Sequence, residues 1–177
     1  MRKIPLPAII CVILFAGLVA CLTWSAFHLP ARVASHFDAR GNPNGWSDLK
    51  SFLQFMAILG LAFPVVVPAI CYGSRFLPDE LQNLPNRDHW LAPERRQETM
   101  SYVFRHSLWF AALALSFVLG IQLLVIYANT STPARIPRAG IIGLTSLFVS
   151  GVIAWVVSLF MHFYRISPSH RTTVSGS

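Results

Sequence analysis

Two short stretches hold most of the side chains in this sequence that could do chemistry. The first places His36 two residues before Asp38, with His28 just upstream. Imidazole and carboxylate are metal ligands, but zinc takes three or four donors at a defined geometry, and His-x-Asp is a weak signature of that. A histidine in such a loop more often hydrogen-bonds nearby backbone, and it could titrate near neutrality as a pH sensor. The second stretch gathers His89, Glu94 and Arg95, which could be drawn as an acid/base cluster. A charged helix start lying against a membrane surface accounts for the same residues. The chain has no phosphate-cradling glycine loop, no HExxH pair and no nucleophile elbow, so no catalytic constellation and no cofactor is expected. Cys11, Cys21 and Cys71 all lie inside apolar runs, where a thiol acts as a small hydrophobe, and they lack zinc or disulfide spacing.

The elements that must position these residues are read from composition. Of 177 residues 54% are hydrophobic and 12% charged, against about 25% charged in a soluble domain. Such a chain needs an apolar solvent as well as an apolar core. Four uncharged runs stand out at residues 4–27, 52–72, 107–128 and 140–161. Each reaches the roughly 20 residues that a helix needs to cross hydrocarbon, and in lipid a run must satisfy its own backbone, so helices are expected. The fold class expected is therefore all-α: an integral membrane four-helix bundle over residues 1–166, followed by a disordered tail at 167–177.

The net charge of +7 suits membrane topology better than nucleic acid. Nine of the 14 cations fall at the end that holds the termini, and five fall in the two opposite loops. The positive-inside rule then puts both termini in the cytoplasm. Tyr72, Trp90, Tyr102, Trp109 and Tyr164 would form an aromatic belt at the inner headgroups. Pro93 suits the first position of a helix, with Glu94 in its first turn. Apolar spacing continues through Met100, Val103 and Phe104, so the third helix should start near Pro93 and extend into the cytoplasm. Trp90 would anchor at the interface, and Arg95, Arg96 and Arg105 would reach lipid phosphates.

Helices in lipid associate through small residues. Ala112, Ser116 and Gly120 mark such a face on the third span, and Ser146, Ser150, Ala154 and Ser158 on the fourth. These two faces are expected to meet. Pro64 and Pro68 should kink the second span, with Gly60 relieving the crowding. Leu18-Val19-Ala20-Cys21 resembles a lipidation signal, but the run stays apolar through Phe27, which favours an uncleaved helix.

Between the first two spans, Gly41-Asn42-Pro43-Asn44-Gly45 is dense turn chemistry, Trp46 would sit at the outer interface, and Ser47 or Asp48 could cap the second span. The order Leu29-Pro30, His36-Phe37-Asp38, then Gly41, Pro43, Gly45 and Trp46 resembles the bacterial membrane domain of unknown function DUF1648. That domain also forms the N-terminal part of SdpI-type immunity proteins. A second stretch with Pro85, Asn86, Trp90, Pro93, Glu94 and Arg95 is similar to a segment common in stand-alone members. The resemblance implies a multi-pass protein of the bacterial cytoplasmic membrane and leaves its chemistry open.

Three function classes follow. The first is a non-enzymatic membrane protein of envelope signalling or resistance to membrane-active peptides. It would contact a peptide or a membrane-protein partner through the outer loop, with the bilayer as its other partner. The second is a small transporter or a transporter subunit. Against it, the spans hold no ionisable residue and, apart from Gln54 and Gln122, no amide. The third is a membrane enzyme, for which no converging acid/base set is visible.

Overall fold

The computed structural model describes residues 4–165; the expected tail at 167–177 lies outside them. Four long helices carry the chain: α1 (Leu6–His28), α2 (Leu49–Gly73), α4 (Pro93–Thr130) and α5 (Arg138–Tyr164), with one short turn of helix, α3 (Arg87–Trp90), before α4. All four long helices are apolar and long enough to cross a membrane, as the four runs predict. The chain is a multi-pass membrane protein.

The caps follow from residue chemistry. Asp48 caps α2 by accepting the Ser51 N–H at 2.9 Å. Proline opens α4 at Pro93, where its missing N–H would have no helical partner. At 38 residues α4 is roughly 57 Å long, nearly twice the hydrocarbon thickness. The helix α2 stays continuous through Pro64 and Pro68.

The chain is not purely helical. Between α1 and α2 an antiparallel hairpin pairs β1 (Arg32–Phe37) with β2 (Pro43–Asp48), in register Arg32 with Asp48 and Phe37 with Pro43. Its ladder shifts around His36. The all-α expectation missed it because Pro43, Asn44 and Gly45 are poor strand formers, and the pairing is imposed by what surrounds it.

The core lies where α1, α2 and α4 meet beneath the hairpin. Leu18, Leu29, Val33, Phe52, Met56, Leu115, Val118 and Val125 form one buried cluster. Gly60 lets α1 approach α2 closely, because a Cβ there would collide with Leu18. Outside this cluster the helices present apolar side chains outward: Phe27 is 79% exposed and Leu147 72%. Water would not tolerate so much contiguous apolar surface, whereas lipid does.

The helix α5 lies against α4, and of the small faces expected Gly120 is the member that receives a side chain from the other helix. Ser146, Ser150, Ala154 and Ser158 are all exposed, as is Ser116. The close contacts are made by glycines that receive leucines. A Cβ on Gly120 would strike Leu144, and one on Gly151 would come within 2.8 Å of Leu113. Phe117 stacks on Phe148 with centroids 4.3 Å apart. Dispersion between large side chains seated over bare backbone gives more contact than two rows of serine hydroxyls, since in lipid only packing and hydrogen bonds favour association. At the far end of the joint, His106 and Trp155 are doubly linked. The indole N–H donates to the His106 carbonyl at 2.9 Å, and His106 Nε2 lies 3.1 Å from the Trp155 carbonyl.

Neighbouring substitutions should therefore differ. Gly151→Leu lowers the unfolding temperature of the detergent-solubilised protein, by an overpacking cost of about 1–3 kcal/mol. Ser150→Leu leaves it within about 0.5 kcal/mol of wild type. Equal effects in a thermal melt would mean that the contact face is misassigned.

Candidate functional site

The outer motif is a rigid clasp. Asp38 organises the hairpin tip: its Oδ1 accepts the N–H groups of Arg40 and Asn42, each at 2.9 Å, and its Oδ2 accepts Asn42 Nδ2 at 3.3 Å. These bonds, led by the Asn42 backbone N–H, lower the Asp38 pKa below the ordinary carboxylate value. Gly41 follows with φ +85°, a left-handed conformation that side chains disfavour. Its carbonyl accepts the Ile136 N–H at 2.9 Å, and a Cβ would run into the Ile136 carbonyl. Gly45 makes room for His36, whose Cβ would lie 2.9 Å from an added methyl.

The hairpin is fastened to the last turn of α4 and to the loop that follows it. The Ala34 N–H donates to Asn129 Oδ1 at 2.8 Å, and Asn129 Nδ2 donates back to the Ala34 carbonyl at 3.0 Å. One side-chain amide thus replaces the missing neighbour of a strand. Arg135 adds a bond to the Arg40 carbonyl at 3.2 Å. Ala34 and Val33 are fully buried. On the outside Arg32, His36, Arg40, Asn44 and Trp46 are exposed, with Trp46 at 48%. Leu29 is buried and Pro30 exposed, at the bend from α1 into β1.

His28, His36 and Asp38 are not brought together as a metal set. The His28 ring stacks on Trp24 and its Nδ1 lies 2.8 Å from the Trp24 carbonyl. His36 Nδ1 lies 3.1 Å from Ser35 Oγ, which in turn meets Ser47 Oγ at 2.8 Å. Asp38 is occupied by its own turn. Among the described residues no three His, Cys, Asp or Glu side chains form a metal set.

The inner motif is a second clasp. Asn86 takes a left-handed φ of 54°, which asparagine tolerates. Its Nδ2 donates to the Phe163 carbonyl at 3.0 Å, and Trp90 Nε1 donates to the same oxygen at 2.9 Å. This carbonyl belongs to the last turn of α5, where helical carbonyls lack partners. Trp90 is therefore tied to the protein rather than being a free interfacial anchor. Thr99 secures it by donating to the Trp90 carbonyl at 2.8 Å. Tyr102 and His162 stack beside it with centroids 3.6 Å apart. Pro85 lies in the turn before α3, Glu94 is exposed in the first turn of α4, and Arg95 Nη1 sits 2.8 Å from His89 Nδ1. Arg96 is also held by protein: it pairs with Asp79 at 3.0 Å and donates to the carbonyls of Arg75 and Leu77. The expectation that Arg96 reaches phosphates is corrected on that ground.

A third polar feature lies in the core. Gln122, fully buried on α4, donates to Ser25 Oγ of α1 at 2.9 Å, and Ser25 donates to the Cys21 carbonyl. Gln122 Oε1 has no hydrogen-bond partner among the described residues. The sequence marks Gln122 as a rare amide but gives no sign of Ser25 as its partner. It likewise gives no sign of Asn129, which reads as the polar end of an apolar run.

Residues 12–61 match the model of the family described as domain of unknown function DUF1648. The match covers most of α1, the whole hairpin and the first half of α2, so the hairpin stands at its centre. No curated protein and no solved structure matches the chain.

Two predictions follow from the outer clasp. Asn129→Leu strands the buried Ala34 peptide groups and should cost about 2 kcal/mol or more, seen as a lower unfolding temperature and faster amide exchange in β1. Asp38 supplies a pH effect: its pKa is lower in the folded state, so its contribution is present above about pH 4 and is lost as acid protonates it. Exchange at the Arg40 and Asn42 amides should accelerate on acidification beyond the intrinsic pH trend, and Asp38→Asn should weaken that dependence.

Proposed function

We propose that this protein is a non-enzymatic component of a bacterial cytoplasmic membrane, acting in envelope signalling or in resistance to membrane-active peptides through its hairpin. Its four spans form a bundle with both termini in the cytoplasm, and the first turns of α4 project there as well. The excess of cations at the end opposite the hairpin supports that orientation.

One observation carries the reading. The hairpin is fixed at β1 and at its tip, yet it turns His36 and Trp46 outward with the cations Arg32 and Arg40. A preorganised surface element loses little entropy on binding, and an exposed tryptophan is a common anchor in interfaces. The family match centred on this hairpin and the resemblance to the domain of SdpI-type immunity proteins point the same way. Transport is the second reading, favoured by the unpaired Gln122 oxygen in the core. The apolar runs hold no ionisable residue, which weighs against ion coupling.

A deletion strain challenged with membrane-active peptides should be more sensitive than its parent. Wild type should restore growth, and His36→Ala or Trp46→Ala should restore less of it. If the deletion strain tolerates every challenge as the parent does, the resistance reading fails. Full complementation by both variants would remove the hairpin face from it.

A further inference from the structure

A cleft lies at the opposite end from the hairpin, where α1 begins, α2 ends and the first turns of α4 pass between them. It encloses about 850 Å³. One wall is a single stripe of α4, running from Pro93 through Arg96 and Met100 to Phe104 and Arg105, at the three- and four-residue spacing that puts side chains on one face. Tyr72 and Phe76 form the facing wall, and Ile4 closes the side.

Its three cations have different roles. Arg96 is engaged by Asp79 and two carbonyls, so it builds the wall. Arg75 lies 3.7 Å above the Tyr72 ring and donates through Nε to the Tyr72 carbonyl, which leaves its terminal nitrogens open. Arg105 is exposed and has no side-chain partner among the described residues. No acidic side chain lines the cleft. Beside and between the arginines the walls are aromatic and aliphatic, and they run out onto exposed apolar side chains: Ile4 is 71% exposed and Phe76 74%. Tyr72 closes the second apolar run and Arg75 is the first charge after it, so the cleft stands at headgroup level.

We propose that this cleft is a binding site for one anionic glycerophospholipid, its phosphate held between Arg75 and Arg105 and its acyl chains lying against Tyr72, Phe104 and Ile4. Guanidinium matches phosphate in charge and geometry. The apolar wall beside it selects a lipid over a free anion. The site needs only that the helices span a bilayer; it does not depend on what the hairpin binds.

The test uses the full chain purified in a mild uncharged detergent. Phosphatidylglycerol should raise the unfolding temperature by roughly 5 °C at saturation, with phosphatidylcholine of the same chains giving less than half of that. Inorganic phosphate at equal concentration should give no shift. The difference between the two lipids should vanish in Arg75→Gln/Arg105→Gln and persist in Arg135→Gln/Arg138→Gln, at the hairpin end. If the first double variant fails to fold, the single Arg105→Gln, which breaks no contact, should cut the apparent affinity for phosphatidylglycerol at least threefold. Equal shifts from both lipids, a shift from phosphate alone, or retained selectivity in the cleft variants would overturn the proposal.

Discussion

A peptide group that leaves a helix beside hydrocarbon must find a hydrogen-bond partner inside the chain, because no water is there to supply one. The architecture of this protein turns on that constraint. The helices satisfy themselves, so the demand falls on the places where the backbone departs from helix: the segment after α1, and the end of α5. Each is met by a side-chain amide or an indole rather than by another strand or helix. Asn129 serves the Ala34 peptide on both sides, while Asn86 and Trp90 converge on the Phe163 carbonyl.

These satisfied groups also decide how the helices are held. The apolar cluster joins α1, α2 and α4, and α4 is long enough to contact both clasps as well as the core. The helix α5 contributes one buried residue to the described core, Phe163. Lipid tails are as apolar as its own side chains, so no hydrophobic force drives it onto α4. What retains it is packing over Gly120 and Gly151, the reciprocal His106–Trp155 bonds, and the inner clasp. The hairpin is fixed by the same economy: its tip is bonded to Ile136, in the loop that leads into α5. The two ends of α5 are thereby linked to the two motifs that carry the family resemblance.

The motif residues acquire physical meanings from this arrangement. Gly41 is required by a positive φ and by the approach of Ile136, Gly45 by the bulk of His36, and Asp38 by three donors of its own turn. None of these is a reactive group. Trp46 and His36 on one end are exposed, and Arg75 and Arg105 on the other line the cleft. The molecule thus has two faces of different chemistry at opposite ends of its spans, one a stiff hairpin and the other a basic cleft.

Hydrocarbon-length runs were legible from composition because a membrane span is a local property, and so were the Asp48 cap and the start of α4 at Pro93, since caps depend on adjacent residues. The turn at Gly41–Gly45 was legible for the same reason. The strands on either side of it were not: Arg32–Phe37 and Pro43–Asp48 have little intrinsic preference for strand, and the hairpin is held by Asn129, 95 residues from Ala34 of β1, and by Ile136 at the turn. The face that α5 turns to α4 was also beyond reach. Spacing shows which residues share a stripe, and several stripes of α5 are small enough to pack. The choice among them belongs to Leu113 and Leu144, whose side chains need bare backbone opposite, and that requirement exists only once the two helices are side by side.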